Sequence, residues 1–120
     1  MNPPIFAIIK ADGDVTALLG TDPVRFFPFG QAPDDAEMPY AVWQTISGAP
    51  ENHLSGVPNI DSWMVQVDVY AEKGSTARTV AEALRDALEP AAYITAWRGE
   101  TKEDDNIFRY SFDVDFLTAR

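Results

Sequence analysis

The chain has 120 residues, 46% hydrophobic and 23% charged, which is the size and makeup of one globular domain and not of a disordered tail. Nineteen acidic against nine basic residues give a net charge of −10, opposing close approach to nucleic-acid phosphates and anionic lipid surfaces. No cysteine is present, so disulfides, thiolate metal sites and cysteine nucleophiles are excluded.

The opening MNPPIFAIIKADGDV has no basic start and no small-residue cleavage pattern, so it does not read as a signal peptide. No stretch approaches the roughly 20 apolar residues of a membrane helix, and the expectation is a soluble, cytoplasmic protein when made. Asn2 can cap a helix opening on Pro3 and Pro4, with Ile5, Phe6, Ile8 and Ile9 as its apolar side. Asp12, Gly13 and Asp14 loosen that helix, and Val15, Leu18 and Leu19 form a second turn set that stops at Gly20. The first twenty residues therefore read as one bent helix or two short ones.

Residues 24–29 (VRFFPF) are β-prone, but Pro28 cannot donate a ladder hydrogen bond, which assigns the segment to a sheet edge. A loop, Gly30 to Pro39, follows. In YAVWQTIS, residues 40–47, Tyr40, Val42 and Ile46 share the apolar face at a two-residue period, with Gln44 the exception. A second long loop runs from Gly48 to Asp61. The clearest strand is SWMVQVDVY, which sets Trp63, Val65, Val67 and Val69 against Met64, Gln66, Asp68 and Tyr70.

From Gly74 and Ser75 to Glu89 a helix is expected, its buried stripe made by Ala77, Val80, Ala81, Leu84, Ala87 and Leu88, with Pro90 as the stop. Residues 92–97 and 106–117 read as an antiparallel hairpin across the polar turn RGETKEDD. In its second strand Phe108, Tyr110, Phe112, Val114 and Phe116 oppose Arg109, Ser111, Asp113 and Asp115. The whole describes one α+β domain over residues 1–120, a mostly antiparallel sheet of about four to five strands with two helices packed on one face. The other sheet face, with Gln66, Asp68, Arg109, Asp113 and Asp115, is left to meet water or a partner.

Chemistry is sparse. His53, Ser55 and Asp61 share one loop without a nucleophile elbow or an oriented base. Asp12 with Asp14, and Asp104 with Asp105, lack the spacing of a calcium loop and read as helix capping and a polar hairpin tip. Asp113 and Asp115 point the same way and, with Asp68, could form a paired-carboxylate site for acid/base or metal-dependent catalysis; the alternative is a solubilising face. The aromatics Phe26, Phe27, Phe29, Trp43, Trp63 and Trp97 fit a core, a pocket or, beside Pro28, a subunit contact. No cofactor is called for.

The run PPIFAIIKAD with VTALLG, then FFPFGQAP and PYAVWQTISGAPENHLSG, resembles the opening half of phage tail completion, or tail terminator, proteins of long non-contractile tails. Asp61 with SWMVQVDVYAE, ARTVAEALRDALEP, AYITAWRGE and RYSFDVDF continue the resemblance over nearly the whole chain. It implies a structural virion protein and no catalytic residue. The implied assembly is a ring of copies of this chain, expected to be a hexamer, on the head-proximal end of the tail tube, where it stops tube polymerisation and offers the head-tail joining surface. The implied partners are the major tail tube protein and a neck or connector protein, with genomic DNA passing through unread and no membrane involved.

Within that frame the face of Gln66, Asp68, Arg109, Asp113 and Asp115 is a candidate channel lining, since acidic groups repel DNA phosphates. Loop residues Gln31, Asp34, Asp35, Glu51, Asn52, His53 and Leu54 are candidate contacts to tube or neck, in loops longer than ordinary connections. Two other readings stay open on the sequence: a neck protein on the portal side, and a small enzyme using Asp68, Asp113 and Asp115.

Overall fold

A computed structural model describes residues 3–52, 56–57 and 59–119. The element order is α1 (Ile5–Ala11), α2 (Gly13–Leu19), β1 (Phe26–Pro28), β2 (Tyr40–Pro50), β3 (Ile60–Ala71), α3 (Gly74–Leu88), β4 (Tyr93–Asp104) and β5 (Ile107–Ala119). One five-stranded sheet has the order β1-β2-β3-β5-β4, antiparallel throughout except for the β1–β2 pair. The α+β class stands, with three helices, because the first twenty residues form two short helices and not one bent one.

The third helix comes from the break at Asp12. Its extended backbone cannot continue α1, and its carboxylate accepts from the N–H groups of Asp14 and Val15 at 3.0 Å, capping α2. Helix α1 begins at Ile5, later than the prolines suggested, and Asn2 lies outside the described residues. Gly20 ends α2 at φ 82°, a left-handed conformation that a side chain resists.

Helix α3 buries the stripe read from its sequence, Ala77, Val80, Ala81, Leu84, Ala87 and Leu88, against the sheet. Ile5, Ile9, Val15 and Leu19 join the same core, which β3 and β5 complete with Val65, Val67, Val69, Phe112, Val114 and Phe116. Removing apolar surface of this extent from water is the main drive for the helix layer to sit where it does. Arg78 of α3 also pairs with Glu100 of β4, clamping the helix to the far edge.

In β2 the expected phase is inverted. Ala41 and Trp43 face the core, while Tyr40 and Val42 lie on the opposite face and Ile46 is exposed. The register explains this: Ala41 pairs with Val69 and Trp43 with Val67, so these residues share the face of the β3 valines. A bulge between Thr45 and Ser47 then displaces Ile46 from either alternation.

Both hairpins are longer than expected. Strands β2 and β3 pair out to Pro50 and Asp61, so the connection is residues 51–59 and Asp61 belongs to a strand. Strands β4 and β5 pair out to Asp104 and Ile107, so most of RGETKEDD is strand. Paired backbone supplies the hydrogen bonds that a loop would have to find in water, and polar side chains on an exposed ribbon cost nothing. The long ribbons stretch the molecule to 54 × 27 × 25 Å with a radius of gyration of 15.1 Å, against about 14 Å for a compact chain of this length.

Candidate functional site

The face of the sheet away from the helices carries the polar residues singled out above. Register sets Gln66 opposite Asp113, Asp68 opposite Ser111, Met64 opposite Asp115 and Tyr70 opposite Arg109. All five proposed residues, Gln66, Asp68, Arg109, Asp113 and Asp115, therefore share one surface across β3 and β5. Aromatic side chains from the β1 side continue it: Tyr40 stacks on Tyr70 at 5.1 Å between ring centroids, and Phe27 tilts against Tyr40 at 6.3 Å.

This face is not the bare acidic surface that the alternation suggested. Asp68 is only 8% exposed; Gln66 Nε2 donates to both its oxygens at 3.1 Å and the Ser111 hydroxyl donates to Oδ1. Asp113 is held by a bidentate pair from Arg98, both contacts at 2.7 Å. Arg109 lies 2.9 Å from Glu103. Buried charge demands partners, so the fold supplies hydrogen bonds and counter-charges to two of its three carboxylates. The third, Asp115, has one buried oxygen, Oδ1, without a hydrogen-bond donor.

Electrostatics follow the same contacts. The Tyr70 phenol is pushed above its ordinary value, first by burial and then by the charge of Asp68. The Arg98 guanidinium is raised, foremost by its hydrogen bond to Asp113, although burial opposes this. Arg98 is hidden in the sequence, because it falls within the polar run RGETKEDD. The bulges of β4 between Ile94 and Ala96 and between Trp97 and Gly99 break the alternation that would have revealed it.

The three carboxylates do not converge on a reaction centre. Asp68 and Asp113 accept hydrogen bonds from neighbours within the sheet, and Asp115 borders a cleft of about 90 Å³. Among the described residues no group of three His, Asp or Glu side chains is placed to hold a metal ion. Asp61 pairs with Pro50 and Thr118 in the sheet, while His53 and Ser55 lie outside the described residues. Among the described residues no helix is long and apolar enough to cross a membrane.

The two candidate contact loops sit at opposite ends of β2. Gln31, Asp34 and Asp35, all exposed, precede it; Glu51 and Asn52, also exposed, follow it, and His53 and Leu54 lie outside the described residues. At about 3.3 Å per residue the strand holds these loops about 35 Å apart. The first loop is anchored, since Phe29 N–H donates to Trp43 O at 2.8 Å and Arg25 Nε to Pro39 O at 3.0 Å. Arg25, Asp35 and Glu37 line a cleft of about 260 Å³ beside it. Of the aromatics, Phe26 and Trp43 are core, Trp63 packs partly against the core, Phe27 is half-buried, and Phe29 and Trp97 are exposed.

The sequence model of the tail completion protein gp17 family matches residues 3–119. The chain belongs to the tail completion family. Its fold is shared by a chain of the virion of a native gene transfer agent particle, at 15% identity and a TM-score of 0.75, covering 97% of this chain and 92% of that one. It is shared also by the bacteriophage SPP1 gp17 protein, at 12% identity and a TM-score of 0.58, covering 97% and 86%. No curated protein matches the sequence. The family is one of structural phage proteins, and this tail completion protein is a structural component of the virion.

Proposed function

We propose that residues 1–120 act as one tail completion domain that assembles as a hexameric ring on the head-proximal end of the tail tube. There it stops tube polymerisation and presents the surface to which the head joins, the tube and neck proteins being its partners. The observation that carries this reading is the family match over nearly the whole chain. An elongated sheet with an exposed loop at each end of β2 suits a subunit that must meet two different neighbours along one axis. We assign Gln31, Asp34 and Asp35 to one neighbour, and Glu51, Asn52, His53 and Leu54 to the other.

The sheet face bearing Gln66, Asp68, Arg109 and Asp113 lines the channel in this reading, with Asp115 at its boundary. Internally paired carboxylates present phosphate with a weakly acidic surface free of unpaired cations, over which DNA slides without sticking. A ring structure with Asp68 and Asp113 turned away from the channel would refute that placement. Assembly takes place in the host cytoplasm.

Electron microscopy of tube protein polymerised with and without the chain tests the main reading. Shortened tubes bearing a ring at one end are expected. Unchanged lengths with bare ends would reject it in favour of a neck position on the portal side.

A further inference from the structure

Asp115 stands apart from the other carboxylates of its face. Its Oδ1 is buried and has no donor, whereas both oxygens of Asp68 and both of Asp113 accept hydrogen bonds. Around it the surface turns apolar. Met64 lies opposite on β3, Tyr93 opposite on β4 and Leu117 two residues on along β5, and they are 37%, 68% and 53% exposed. A half-buried carboxylate with one occluded oxygen and no donor on the other, ringed by exposed apolar side chains, is a costly surface for a chain alone, and a cation flanked by an apolar group would complete it by reaching the accessible Oδ2.

The same chain carries that complement. Arg25, Arg78, Arg85, Arg98, Lys102 and Arg109 all have acidic partners within it, leaving Lys10 and Lys73 without an ion pair among the described residues. Lys73 is flanked by Glu72 and Gly74. Lys10 lies on α1 one turn from Phe6, an aromatic 41% exposed, so cation and ring project together. Helix α1 packs in the layer on the far side of the sheet from Asp115, so the two surfaces cannot meet within one molecule.

We propose that α1 of a second copy docks on this patch, Lys10 donating to Asp115 and Phe6 packing among Met64, Tyr93 and Leu117. Because donor and acceptor surfaces differ, the contact is head-to-tail and repeats from copy to copy, as a closed ring requires. In a chain of net charge −10 it also gives like-charged copies a specific point of attraction. The contact rests on the ring reading and sets Asp115 between subunits.

A cysteine-free chain makes the test clean. The full chain carrying Phe6→Cys and Leu117→Cys, both at exposed positions, is assembled on tail tubes, oxidised, and read by non-reducing gel and electron microscopy. Ring density with a ladder of disulfide-linked chains supports the contact. Ring density without interchain links overturns the contact and leaves the ring reading standing; bare tube ends overturn the ring reading and this contact with it. Charge exchange gives a second arm: Lys10→Glu or Asp115→Lys alone lowers the linked yield about tenfold, and both in one chain restore it. A double variant as poor as the singles would reject the pairing.

Discussion

Removing the Ser111 hydroxyl isolates the contribution of the buried network on the sheet face. Asp68 is 8% exposed and Ser111 5%, and the serine donates to a carboxylate oxygen that also receives Gln66. A hydrogen bond to a charged group is worth about 1.5–3 kcal/mol, so Ser111→Ala should cost about 2 kcal/mol. For a domain of this size that lowers Tm by about 8 °C, interpolating between the usual values for smaller and larger domains. Replacing both partners, as in Asp68→Leu with Ser111→Ala, removes the charge that needed the donor, so the double variant should be more stable than the sum of the singles by at least about 1 kcal/mol. Urea unfolding followed by circular dichroism measures all four corners of the cycle. Additive effects, or a serine variant within about 0.5 kcal/mol of the parent, would show that the network does not hold this face together. Ring formation by the Asp68→Asn variant, scored on tubes, should persist, because the partners of Asp68 lie within its own subunit and not across a subunit contact.

Leu84→Ala, at a fully buried position of α3, should destabilise by about 3 kcal/mol in the same urea assay; a loss under 1 kcal/mol would contradict the packing of α3 on the sheet. Asp12→Ala should cost about 1 kcal/mol by uncapping α2, and Asp12→Asn much less, since either side-chain oxygen can accept from Asp14 and Val15. Because burial and Asp68 raise the Tyr70 pKa, the folded state holds that proton more tightly than the unfolded state does. This contribution is complete below about pH 10, the unfolded value, and is lost as pH rises through the folded value. Urea midpoints from pH 9 to 11 should therefore fall less steeply in Tyr70→Phe, and identical slopes would remove Tyr70 as the cause.

The amino-acid order by itself determined the elements whose pattern admits one solution. In α3 the apolar positions recur only at helical spacing, and in β3 and β5 valines and phenylalanines alternate strictly with polar residues, so the buried face could be named from the chain. Pro28 likewise marked β1 as an edge strand, because it has no N–H to give. Family membership was also legible, since it rests on the order of several such segments over nearly the whole chain. The tertiary structure decided what the pattern leaves degenerate. Strand β2 carries apolar groups on both faces, Tyr40 and Val42 on one and Ala41 and Trp43 on the other, so only its register against Val67 and Val69 chose the core side. Bulges in β4 scrambled the period that would have placed Arg98 beside Asp113. Which carboxylates are satisfied and which is left for a partner is a matter of neighbours brought in from other strands, and local order along a chain does not encode those distances.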